Sequence, residues 1–88
     1  MLFLVIERFR NGDPEPVRKR FKQKGRMLPD NVHYIDSWIT QDGTTCYQIM
    51  DATKASDLDP WIVKWKDLVD FEIIAVMSSE EFNRPNEP

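Results

Sequence analysis

Glu7 and Glu72, and with them Asp36 and His33, are the candidates for proton transfer in this sequence. Two carboxylates close together in a dry site do not both ionise cheaply. A Glu7/Glu72 pair would therefore raise one pKa and supply a general acid or base. The segment HYIDSW, residues 33–38, gathers an imidazole, a phenol, a carboxylate and an indole, and TTCYQIMD, residues 44–51, adds the thiol of Cys46 and the amide of Gln48. Whether these groups meet depends on the elements that carry them.

LFLVIERF (residues 2–9) is a short apolar run bounded by the turn signal Asn11-Gly12 and reads as a first strand. Asp13-Pro14 then offers an N-cap acceptor and a proline where a helix misses no amide hydrogen. A helix is predicted from there to about Lys24, with Val17 and Phe21 as its apolar stripe and Gly25 as its left-handed terminator. Alternation from Val32 to Thr40 and from Thr44 to Met50, joined by Gln41-Asp42-Gly43, predicts a hairpin. After a cap at Ser56 or Asp59, the residues Leu58, Trp61, Ile62, Trp65, Leu68 and Val69 follow helical spacing. FEIIAVM (71–77) closes the pattern as a fourth strand. One domain is expected over residues 1–78, with a short cap and polar tail over 79–88.

This order of strands and helices predicts an α+β, ferredoxin-like βαββαβ fold: a four-stranded antiparallel sheet of order 4-1-3-2 with both helices on one face. Side chains at i and i+2 share a face, so each strand divides into two sets. The set Leu2, Leu4, Ile6, Ile35, Ser37, Ile39, Tyr47, Ile49, Phe71, Ile73, Ala75 and Met77 is mostly aliphatic and is assigned to the helix side, together with His33. Phe3, Val5, Glu7, Tyr34, Asp36, Trp38, Cys46, Gln48, Met50, Glu72, Ile74 and Val76 are assigned to the open face. That face is too apolar to remain in water, and a second copy of the chain is its expected cover.

On this assignment Glu7, Glu72, Trp38 and Cys46 gather toward one end of the open face, with Asp36 and Gln48 nearer its middle. The competing expectation is that the acids are solvated or paired with Arg8 or Arg10. A Cys46/His33 nucleophile pair is disfavoured because the two point to opposite faces. A metal site of Asp36, Glu7 and Glu72 has oxygen donors but no recognised loop spacing, so no metal and no cofactor are expected. Trp61 and Trp65, one helical turn apart, read as core.

Composition narrows the classes further. The 88 residues are 41% apolar and 31% charged, as in ordinary globular domains, and a chain this short gains from a supplementary interface. A single cysteine excludes an internal disulfide framework and fits a reducing, cytoplasmic compartment. The opening MLFLVI runs directly into ERFR and reads as a strand rather than a targeting signal, and no segment has the roughly 20 apolar residues that cross a bilayer. Residues 1–26 carry eight bases against three acids, whereas the remainder carries four bases against twelve acids. Most of the bases belong to the first helix and read as a solvated face. The chain order also fits an RNA-recognition module, but TTCYQIMD lacks that module's basic, glycine and aromatic pattern, and Glu7, Asp36 and Glu72 would repel phosphate. Neither a nucleic acid nor a membrane is an expected partner.

The architecture resembles the dimeric α/β-barrel superfamily, in which two ferredoxin-like sheets pair. MLFLVIERFRNGDPEPVRKRF, GRMLPD, YIDSW and WIVKWKDLVDFEIIAV are similar to an uncharacterised family of short, single-domain bacterial proteins assigned to it. The resemblance implies a homodimer and a pocket between sheet and helices or inside the barrel. It implies no particular activity, because fold does not decide function. The leading expectation is a homodimer that binds a small apolar or aromatic ligand near Tyr34, Trp38, Cys46 and Gln48. One alternative is a cofactor-independent isomerase or monooxygenase using Glu7 or Glu72, or else His33 or Asp36, and another is an assembly module with no small-molecule site.

Overall fold

In the computed structural model, which describes residues 1–85, the first apolar run forms β1 (Leu2–Phe9) in the interior of the sheet. It pairs antiparallel with both β3 (Thr45–Asp51) and β4 (Val69–Val76). β2 (His33–Ile39) adds outside β3, giving the order β2-β3-β1-β4, which is the expected 4-1-3-2 order seen from the other edge. The fold is α+β and consistent with a ferredoxin-like βαββαβ arrangement.

Local chemistry explains the helix boundaries. α1 (Glu15–Lys24) begins where Asp13 Oδ1 accepts the Glu15 N–H at 3.0 Å, and it ends at Gly25, whose φ of 70° suits glycine and whose N–H reaches Phe21 O at 2.7 Å. α2 (Asp59–Trp65) stops short of the predicted apolar stripe. Leu68 and Val69 match helical spacing, yet the Arg10 N–H donates to Leu68 O at 2.9 Å and Val69 opens β4 opposite Phe9. The first residues of the expected tail form one turn, α3 (Ser79–Phe82), capped where Ser78 Oγ accepts the Glu81 N–H. Residues 86–88 of that tail lie outside the described residues.

The face assignment from sequence is reversed on β1 and β3. Residues directly opposite across an antiparallel pair share a face. Val5 lies opposite both Gln48 and Ile73, and Glu7 lies opposite both Cys46 and Phe71. Phe71 and Ile73 pack against the core beneath the helices, as expected, so Phe3, Val5, Glu7, Cys46, Gln48 and Met50 lie there too. Leu2, Leu4, Ile6, Tyr47 and Ile49 instead share the open face with Glu72, Ile74 and Val76.

The hairpin loop is the physical reason. Asp42 Oδ1 accepts from Thr40 Oγ1 at 2.6 Å, Thr44 Oγ1 at 2.8 Å and the Thr44 N–H at 3.1 Å, while the Thr40 N–H donates to Thr45 O. This loop sets Trp38 opposite Tyr47, so the two share a face instead of opposing one another. An irregularity between Tyr34 and Asp36 then changes parity within β2. Tyr34, opposite Met50, turns to the helix side, and His33, opposite Asp51, turns to the open face. Asp36 and Trp38 stay on the open face, and Ser37 and Ile39 on the helix side, as the alternation predicted.

α2 and the preceding 3₁₀ turn (Ala55–Leu58) cover the Phe3–Met50 end of the sheet, burying Leu58, Trp61 and Trp65. Trp61 meets Phe71 edge to face, with ring centres 5.2 Å apart. Each such side chain contributes about 1.5–3 kcal/mol by leaving water. α1 behaves differently, since none of its residues is buried. Arg20 ties it down through paired hydrogen bonds of 2.8 and 2.7 Å to Asp67 and a third of 2.9 Å to Lys64 O. The helix is thus anchored along one side and stands off the other end of the sheet.

Candidate functional site

The gap beneath α1 is a cleft of about 890 Å³. Its floor is the helix side of the sheet at Glu7, Cys46 and Gln48, its outer wall is Ser37 and Ile39, and its roof carries Val17 and Phe21. Trp61 and Trp65 border it from α2, and Arg26 borders it from the loop after α1. Of the stripe expected to seal α1 against the sheet, Val17 packs against the core, whereas Phe21 remains 44% exposed and lines the opening.

Glu7 is the floor's chemical centre. Only 8% of it is exposed, and its Oε2 accepts a 2.6 Å hydrogen bond from Gln48 Nε2. Loss of water pushes its carboxyl up from 4.5 to about 7, against the opposing pull of the Gln48 amide, the Arg26 charge and the Cys46 thiol. The group can therefore either give or take a proton near neutrality. Burial, reinforced by the neighbouring Glu7, pushes the Cys46 thiol up to about 12, which suits a small buried apolar side chain rather than a nucleophile. Gln48 is 3% exposed, and its Oε1 has no hydrogen-bond partner among the described residues.

Arg26, one of the N-terminal bases, is not among the sequence candidates for the site. Its carbonyl accepts both indole N–H groups, from Trp61 at 3.1 Å and from Trp65 at 3.0 Å. Gly25 before it and Met27 after it both have positive φ, 70° and 63°, so the segment turns sharply over the cleft. The guanidinium lies 3.7 Å from the centre of the Tyr34 ring and 5.1 Å from that of Phe21. Tyr34 is itself held by a 2.6 Å hydrogen bond shared between its hydroxyl and Ser37 Oγ. The two tryptophans are spaced one turn apart, but their contacts with Arg26 span 35 and 39 positions and have no local pattern in the sequence.

The structure divides the other sequence candidates between the two faces. Glu7 and Glu72 do not form a pair: Glu72 is opposite Ile6, on the open face, where it bonds Arg8 at 3.0 Å. The same separation dismantles the Asp36, Glu7 and Glu72 oxygen cluster. His33, Asp36 and Trp38 are exposed on the open side, away from the cleft, and Asp36 Oδ1 caps the Ser37 N–H at 2.8 Å. Glu7, Cys46 and Gln48 do come together, and Tyr34 supports them through Arg26. Among the described residues no helix is long and apolar enough to cross a membrane.

A family model described as a domain of unknown function, DUF3303, matches residues 1–85. No curated protein and no solved structure matches the chain.

Proposed function

The chain belongs to the DUF3303 family, a domain of unknown function, and on the geometry alone we propose that it binds a small apolar or aromatic molecule in the cleft beneath α1. The observation that carries this reading is a buried polar pair, Glu7 and Gln48, at the floor of a cleft whose apolar walls include Val17, Phe21, Ile39 and the two tryptophans, with charged side chains of α1 and Arg26 also lining it. Pockets that take small molecules combine apolar walls with a few fixed polar groups in this way. Thermal unfolding in the presence of neutral bicyclic aromatics tests it, because a ligand that favours the folded state raises the midpoint. The rise should be absent in Ser37→Trp, which fills the cleft from the edge strand. An equal rise in that variant would count against the cleft.

A second reading follows from Glu7 itself. A buried carboxyl titrating near 7 and facing a cleft suits proton transfer in an isomerase or a cofactor-independent oxygenase. Retained binding with lost turnover in Glu7→Gln would select enzyme over binder.

The open face supports a homodimer. Leu2, Leu4, Ile49, Trp38, Ile74 and Val76 make it apolar across all four strands, Arg8 pairs with Glu72, and Asp36, His33 and Asp51 lie toward the β2 edge. A second copy matches such a face by symmetry and supplements the small core of one chain.

A further inference from the structure

Building on the cleft reading, we propose that the ligand is an aromatic acid, its anionic group paired with Arg26. Arg8, Arg10, Arg18 and Arg20 each have a carboxylate oxygen within 3.3 Å. Arg26 has none within 4.0 Å among the described residues, although it borders the cleft. Its guanidinium packs against the Tyr34 ring and lies near that of Phe21, and its backbone carbonyl accepts two indole hydrogen bonds. A guanidinium held in this way presents a rigid fork suited to a carboxylate.

Gln48 is committed to Glu7 through Nε2, and its Oε1 is buried without a hydrogen-bond partner among the described residues, so the polar pair of the floor is held in place from within the fold. The surroundings agree with the charge and the shape. Arg18, Lys19 and Lys22 add positive charge at the rim against Glu15 and the partly ionised Glu7 of the floor, and the half-exposed Phe21 offers apolar surface to a planar body.

The test is an amide chemical-shift titration of the full chain with two probes of one shape, 2-naphthoate and 2-naphthylmethanol. Both should shift residues of the cleft floor. Naphthoate should bind at least about tenfold more tightly, the scale of a hydrogen bond to a charged group. Arg26→Gln should reduce the ratio of naphthoate to naphthylmethanol affinity to about twofold or less, whatever it does to the two affinities themselves, and Arg26→Lys should restore part of the ratio. Equal affinities in the wild type, or a preference that survives Arg26→Gln, would overturn the acid assignment and leave the cleft reading standing. Shifts from neither probe would overturn both. The wild-type comparison needs no variant, so the test does not depend on how the substitutions fold.

Discussion

Gln48 Nε2 donates to Glu7 Oε2 across 2.6 Å beneath α1, joining neighbouring strands by a side-chain bond on the face that the helices only partly cover. The bond orients the amide and favours the carboxylate form of Glu7, yet burial outweighs it and holds the carboxyl near 7. A group raised above its ordinary value holds a proton in the folded chain that the unfolded chain has already released. The contribution of Glu7 to stability is therefore greatest below about pH 4.5, falls as pH rises toward 7, and levels off above that. Glu7→Gln removes the slope. At about 1.4 kcal/mol per pH unit, the variant gains at most roughly 3 kcal/mol over the wild type at alkaline pH and little at acid pH. Urea unfolding of both proteins at about pH 4 and about pH 8 measures this difference. A gap that does not change with pH contradicts it.

Cys46 should be inert while the chain is folded. Its thiol is buried against Glu7 and pushed up to about 12, so little thiolate exists at neutral pH. Alkylation by iodoacetamide should be at least about a hundredfold slower in the native protein than in denaturant. Comparable rates would show that the floor of the cleft opens readily.

Trp38 is 58% exposed and stands opposite Tyr47 on the uncovered face. If that face meets a second copy, Trp38→Asp places an unpaired charge within the contact. Native mass spectrometry at low micromolar concentration should show twice the chain mass for the wild type and a marked shift to the single chain in the variant. A wild-type protein that stays monomeric, or a dimer that Trp38→Asp leaves unchanged, contradicts the open-face interface.

The order of elements was legible because several boundaries carry local chemistry, Asp13-Pro14 before α1, Gly25 after it and Asp42-Gly43 in the hairpin, whereas the end of α2 carries none and was misplaced. The choice of face was not. On β1 both parities are apolar, Leu2, Leu4 and Ile6 against Phe3 and Val5, so alternation cannot say which set meets the helices. The decision rests on the register imposed by the Asp42 loop and on the irregularity after Tyr34, both set by geometry over several residues. Glu7, Cys46 and Gln48 were recognised as companions because they alternate correctly with respect to each other, and the structure moves them as a group to the helix side. Arg26 joins them only through contacts with Trp61 and Trp65, distant in sequence.

The central claim is that the cleft beneath α1 holds a small molecule, and the most direct measurement is mass spectrometry of what denaturation releases from protein purified gently. Wild-type chain and Ser37→Trp, compared at equal concentration and equal folded content, should differ in one respect. The wild type should release an apolar or aromatic compound in near-stoichiometric amount, and the cleft-filled variant should release almost none. Release of the same compound in equal amount from both would contradict the account.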